Sequence, residues 1–175
     1  MEIITYVREG AISHQDNLGN KGRTEAGDVQ VMSAGTGIAH SEYNLEDATT
    51  KIFQIWIIPD RQGVTPGYEQ KAYSEAGKRG RLRLVASPDG ADGSVRMHQD
   101  ARMYAGLFDD DEHDAVPVAA GRLAYMHLVR GSAVVNGHAV SAGDALLYRD
   151  EPEVRVERGD GAEILVFDLP QLQLQ

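Results

Sequence analysis

At 175 residues and 19.1 kDa the chain has the bulk for one large domain or two small ones around a real core. Its formal charge of −10 and pI near 5.0 exclude non-specific nucleic-acid binding, which needs clustered Lys and Arg. No apolar run reaches the length of a membrane span and the first residues lack a basic leader, so a cytoplasmic protein with no membrane partner is expected. Cysteine is absent, so any metal must be held by nitrogen and oxygen.

Short runs bounded by Gly, Asp or Asn dominate the chain and predict strands. In chain order these are Glu2–Arg8, Ile12–Gln15, Asp28–Ser33, Ile52–Ile58, Arg81–Ala86 and Ser94–Arg102. Gly121–Val129, Ser132–Val135, Ala145–Arg149, Glu153–Glu157 and Glu163–Asp168 follow. Asn17-Leu18-Gly19-Asn20 and Asn136-Gly137 read as hairpin turns, the second through the Asn-Gly pair that type I′ geometry favours. Strands this numerous predict an all-β fold, an antiparallel sandwich or barrel. Pro59 to Gly77 reads as a connection between two halves, dividing the chain into 1–60, 61–80 and 81–175.

An internal echo supports two halves. Tyr6-Val7-Arg8-Glu9-Gly10 is followed by a hairpin and Ala26-Gly27-Asp28; His127-Leu128-Val129-Arg130-Gly131 is followed by a hairpin and Ala142-Gly143-Asp144. Two copies of one strand–turn–hairpin unit predict duplicated barrels.

Between the first hairpin and the connection lies the stretch Gly35-Thr36-Gly37-Ile38-Ala39-His40-Ser41-Glu42-Tyr43-Asn44. Residues two apart on a strand share a face, so His40 and Glu42 present an imidazole and a carboxylate side by side. These are two of the three protein ligands of a non-haem Fe(II) centre; the plain alternative is a hydrogen-bonded pair at a barrel mouth. Gly35 and Gly37 lack the third glycine of a dinucleotide loop, and Ser41 faces away from His40, against a serine hydrolase. His14 beside its turn reads as structural, His98 as hydrogen-bonded between barrels, His127 as half-buried, and His113 and His138 as solvated. The acidic run Asp109–Asp114 lacks the spacing of a calcium loop and reads as solvated, as does the basic run Lys78–Arg83. The tail Gln171–Gln175 reads as a strand end or a fraying terminus.

Gly27, Gly35, Gly37, His40 and Asn44 match the second motif of the cupins. Across Met1–Val7, His14–Lys21, Met32–Asn44, Gln54–Ile57, His98–Asp100 and Leu165–Pro170 the chain resembles the pirin family, including bacterial pirin-like quercetin dioxygenases. That resemblance implies a bicupin fold of two antiparallel β-barrels of the jelly-roll kind. It also implies one Fe(II) or other divalent metal in the N-terminal barrel, held by an H-x-H pair, a later histidine and a glutamate. The later pair falls on His40 and Glu42, with Glu42 also implied as the base for a flavonol hydroxyl; Glu2 matches an acidic position that is not usually a ligand. The H-x-H pair falls upstream of Met1. The chain is therefore expected to hold half the family site, in a first barrel truncated at its N-terminus whose open edges either pair between chains as a homo-oligomer or are remodelled. No second metal centre is expected, because the second half has no histidine corresponding to His40. The implied partners are a flavonol or related aromatic enol and O₂, the implied activity that of a quercetin 2,3-dioxygenase-like oxidoreductase. An iron-dependent transcriptional co-regulator and a metal-free remnant are the alternatives. With two ligands the chain is expected to bind metal weakly and to be a poor oxygenase.

Overall fold

A computed structural model describes residues 1–171, so most of the tail read as a strand end lies outside the described residues. The chain divides into two compact units, one of Met1–Ser74 and Ala86–Gln99, the other of Glu75–Val85 and the chain from Asp100 onward. Strands dominate both.

The first unit holds β1 (Glu2–Glu9), β2 (Ala11–Asp16), β3 (Lys21–Glu25), β4 (Val29–Ser33), β5 (His40–Tyr43), β6 (Lys51–Ile57) and β7 (Gly67–Lys71). They form two antiparallel sheets, β6-β1-β4-β7 and β3-β2-β5. β1 is buried on both faces, as its unbroken apolar run Ile3-Ile4 and Tyr6-Val7 requires. Register aligns Gln54, Thr5, Gln30 and Gln70 in one row across the four strands. Two residues along, Trp56, Ile3, Met32 and Tyr68 form the next row on the same face.

After α1 (Glu75–Lys78) the strand β8 (Arg83–Ser87) leads back into the first unit, where its end pairs in parallel with β9 (Val95–Arg96). β10 (Arg102–Asp110), β11 (Asp114–Pro117), β12 (Arg122–Val135), β13 (His138–Ser141), β14 (Ala145–Arg149) and β15 (Glu153–Pro170) complete the second unit. There the strands run β13-β12-β15-β10, with β14 on β12 and β11 on β15. Phe108, Met126, Leu128, Val135, Val154, Val156, Ile164 and Val166 are fully buried and form its core. Four methionines, Met32, Met97, Met103 and Met126, are sealed inside the two units.

Several elements differ from the sequence expectation. β12 and β15 each replace a predicted pair of short strands, because Gly131 and Gly161 carry the backbone through bulges with positive φ, 69° and 55°, instead of turning it. Ser94–Arg102 is not one strand: pairing lapses after Arg96 and resumes at Arg102. β10 beyond Arg102 lies outside the predicted strands, as do β3, β7, β11 and β13, with β7 inside the stretch read as a connection; these last four are only four or five residues long and rich in polar positions. The basic run is not a solvated turn, since Lys78 is buried and Arg79 pairs with Asp109 at 2.6 Å.

The echo is repeated bond for bond. Ala26 N–H donates to Gly10 O, Gly27 to Val7 O and Asp28 to Glu25 O; Ala142 donates to Gly131 O, Gly143 to Leu128 O and Asp144 to Ser141 O. At the hairpin tips, Asn17 N–H donates to Ala39 O and its Oδ1 accepts from Ala39 N–H, as Asn136 does with Arg155.

Both Gly131 and Gly137 hold a left-handed φ, 69° and 78°, but a Cβ on Gly131 would lie 2.3 Å from Asp160 O whereas at Gly137 nothing lies within 4 Å. Gly131→Ala is expected to cost about 2 kcal/mol or more and Gly137→Ala about 1 kcal/mol, measured by urea unfolding followed by circular dichroism.

Candidate functional site

The site is built on the β2–β5 ribbon of the first unit. Gly35 begins it: with φ 51° the turn folds back so closely that a Cβ would sit 2.1 Å from Val64 O. Thr36 N–H then bonds Val64 O and Gly37 N–H bonds Ala34 O, delivering the chain to β5. At the far end Asn44 orders the following loop, its side chain bonding Ala48 O and Glu46 N–H. The motif asparagine is thus a turn residue.

Register places His14 opposite Glu42 and Asp16 opposite His40, so all four side chains share one face. His40 is exposed; Glu42 keeps 12% of its side chain in solvent; His14 is fully buried. The His14 ring is stacked between two others, Tyr68 at 4.4 Å and His40 at 5.7 Å between centroids, each tilted by less than 20°. Tyr68 can approach because Gly22, the residue opposite His14 on β3, has no side chain: a Cβ there would lie 2.2 Å from the phenol oxygen.

Glu42 is gripped from the polar row beneath it. Gln30 Nε2 donates to Oε1 and Gln54 Nε2 donates to Oε2 at 2.7 Å. Gln30 is itself buried and saturated: its amide also reaches Thr5 Oγ1, and its oxygen accepts from Thr24 Oγ1 at 2.9 Å and faces the Tyr68 hydroxyl at 3.1 Å. Burial raises the Tyr68 phenol, and the Glu42 and Asp16 carboxylates add to this against the Thr24 hydrogen bond, so it stays a donor.

Asp16 orients the buried histidine. Burial pushes its carboxyl up, but hydrogen bonds from His14, the Asn20 side chain and the backbones of Asn20 and Leu18 together outweigh this and hold it at about 2. An ionised carboxylate only accepts, so His14 Nε2 donates its proton to Asp16 Oδ2 across 3.0 Å. Nδ1 is left buried without a hydrogen-bond partner, 3.9 Å from Glu42 Oε1.

Among the described residues no three His, Asp or Glu side chains form a cluster able to hold a metal ion. His40 and Glu42 thus match a divalent cation in kind of donor and fall short in number. His14, expected to be merely structural, stands beside the pair; Tyr68, Gln30 and Gln54 complete the surroundings and had no place in the sequence reading. The available signal was a glutamine within each apolar run, Val29-Gln30-Val31-Met32 and Ile52-Phe53-Gln54-Ile55. His98 bonds Glu2 Oε2 and Ser33 Oγ, both in its own unit, so the expected bridge between barrels is not what these contacts make. His127 is half-buried, which lowers its pKa; His113 and His138 are exposed. In the second unit the residue following the Asn136–Arg155 pairing is the buried Val156, where His40 follows Ala39 in the first.

Because Asp16 titrates at about 2 when folded against 3.8 for the free group, its stabilisation is complete above about pH 4 and is lost as pH falls through 2. Asp16→Asn is expected to be clearly less stable than wild type near neutrality and to approach it at low pH, measured by urea unfolding across that range.

Comparison with known proteins adds the lineage. Residues 1–57 match the family model described as Pirin, and residues 84–169 the one described as Quercetinase C-terminal cupin domain. The chain is 43% identical over 172 residues to the quercetin 2,3-dioxygenase of Escherichia coli K12, covering 97% of this chain and 73% of the relative. It is 44% identical over 170 residues to a pirin-like protein of Caulobacter vibrioides, covering 96% of this chain and 73% of that one. The crystal structure of the Escherichia coli pirin YhhW in complex with nickel(II) superposes with a TM-score of 0.89 at 42% identity, over 98% of this chain and 73% of the other. Two sequence-matched halves on an all-β, bicupin framework leave one conclusion: the chain belongs to the pirin family.

Proposed function

We propose that the His40–Glu42 ribbon contributes an imidazole and a carboxylate to a divalent-metal dioxygenase site, with Fe(II) or a similar ion as cofactor and a flavonol or related aromatic enol as substrate beside O₂. The observation that carries this reading is the state of Glu42: a mostly buried carboxylate fixed by two amide donors on the face it shares with exposed His40. The quercetin dioxygenase relative and the nickel-bound pirin support it.

The chain's own groups suit the opening proton transfer. Gln30 and Gln54 present only N–H to Glu42, so they hold the carboxylate in place without competing for a proton. The Gln54 bond lies on the exposed side, where an incoming hydroxyl can reach Oε2 beside it. The substrate O–H bond then breaks, its proton passes to Glu42 Oε2, and the aromatic enolate remains. His40 and Glu42 would hold the metal, which when bound supplies Lewis acidity and O₂ activation.

A second reading shares this site. A binding or regulatory module that takes up the metal without turnover would use the same His40 and Glu42 donors.

Metal titration by calorimetry and O₂ uptake with quercetin separate the two. Nickel(II) or Fe(II) is expected to bind weakly, and His40→Ala and Glu42→Gln each to weaken it further by about ten-fold or more. Slow O₂ consumption that is lost in Glu42→Gln supports the enzyme; metal binding without turnover selects the regulatory module. Metal affinity indifferent to both substitutions overturns the site.

A further inference from the structure

Trp56 is the only tryptophan in the chain, and it is 64% exposed. A side chain this large does not stay in water for the sake of packing, and β6 is an edge strand that pairs with β1 alone among the described residues. Its setting is specific. The indole Nε1 donates to Gln54 Oε1 at 3.2 Å, and the same amide donates from Nε2 to Glu42 Oε2 at 2.7 Å. Both ends of Gln54 are therefore engaged, which fixes its orientation and ties the direction of the indole to that of the carboxylate. Trp56 also ends the row Trp56–Ile3–Met32–Tyr68, next to the polar row that holds Glu42. That row runs from an open aromatic face at the sheet edge, through buried Ile3 and Met32, to the ring stacked on His14.

We infer that Trp56 is the ring-binding residue of the site and sets its preference for extended aromatic enols over small ones; this rests on the function proposed for His40 and Glu42. A ligand whose hydroxyl meets Glu42 must lay its remaining rings somewhere. The indole lies one amide and two hydrogen bonds away, with its polar N–H turned to Gln54 and its apolar surface free to stack. Selectivity comes from this division of labour. The carboxylate reads the acidic hydroxyl, common to every enol of the class, while the indole reads the aromatic surface beyond it.

The test compares quercetin with maltol, which keeps the 3-hydroxy-4-pyranone head and lacks the further rings, by calorimetry on the full chain. Quercetin is expected to quench the Trp56 emission, corrected for its own absorbance, with the midpoint found by calorimetry. Trp56→Ala should weaken quercetin by about five- to ten-fold, leave maltol within about two-fold, and have its loss largely restored in Trp56→Phe. If Trp56→Ala weakens both ligands equally, the residue acts only through Gln54 and the inference is wrong. If quercetin ignores Trp56→Ala but is weakened by Glu42→Gln, the inference falls and the site stands. If wild type binds neither ligand, both fall together.

Discussion

The register of the β2–β5 ribbon is the constraint on which the arrangement of the first unit's polar side chains depends. Side chains alternate across a strand, so a slip of one residue would send His14 and Asp16 to the face opposite His40 and Glu42. Asp16 guards against that slip. It binds the backbone of the Asn17–Asn20 turn and the His14 ring with the same carboxylate, so the hairpin that sets the register and the imidazole that depends on it are fixed by one group. Asn17 then clamps the strand entering at Ala39. Turn, register and site are one network of charge-assisted and backbone hydrogen bonds.

The second unit shows what the same frame does without that network. Its turn and hairpin bonds repeat those of the first, yet the interior positions near the clamp are Val135 and Val156, both fully buried. Apolar side chains there join a continuous core with Phe108, Met126 and Ile164. The repeated scaffold therefore does not require polar residues inside it. In the first unit, placing Gln30, Thr5, Thr24 and Glu42 in the corresponding region replaces apolar packing with hydrogen bonds that must all be satisfied, and Gln30 with its four partners is where that demand is met.

Much of this was legible in the residues, for physical reasons. β1 and β14 follow from compact apolar runs between turn residues, and β14 falls at Ala145–Arg149 as predicted. The shared face of His40 and Glu42 follows from strand periodicity alone. What stayed hidden depends on partners far along the chain. Tyr68 sits on a strand with no alternation, half-buried at every position, and reaches His14 only through the gap at Gly22. His14 looked structural because nothing local distinguishes a satisfied histidine from one with an unpartnered Nδ1. Gly131 read as a turn because a positive-φ glycine in a bulge and one in a hairpin look alike until the partner strand is known.

The sealing of the sulfur atoms has a consequence for a protein that would handle O₂. Cysteine is absent and four of the five methionines are at most 1% exposed, leaving Met1 at 37% as the accessible thioether. Reactive oxygen leaking from the ribbon would find little sulfur to oxidise, and the packed interiors would keep their shape. Damage would fall instead on the exposed rings of His40 and Trp56, altering the proposed site while the molecule stayed folded.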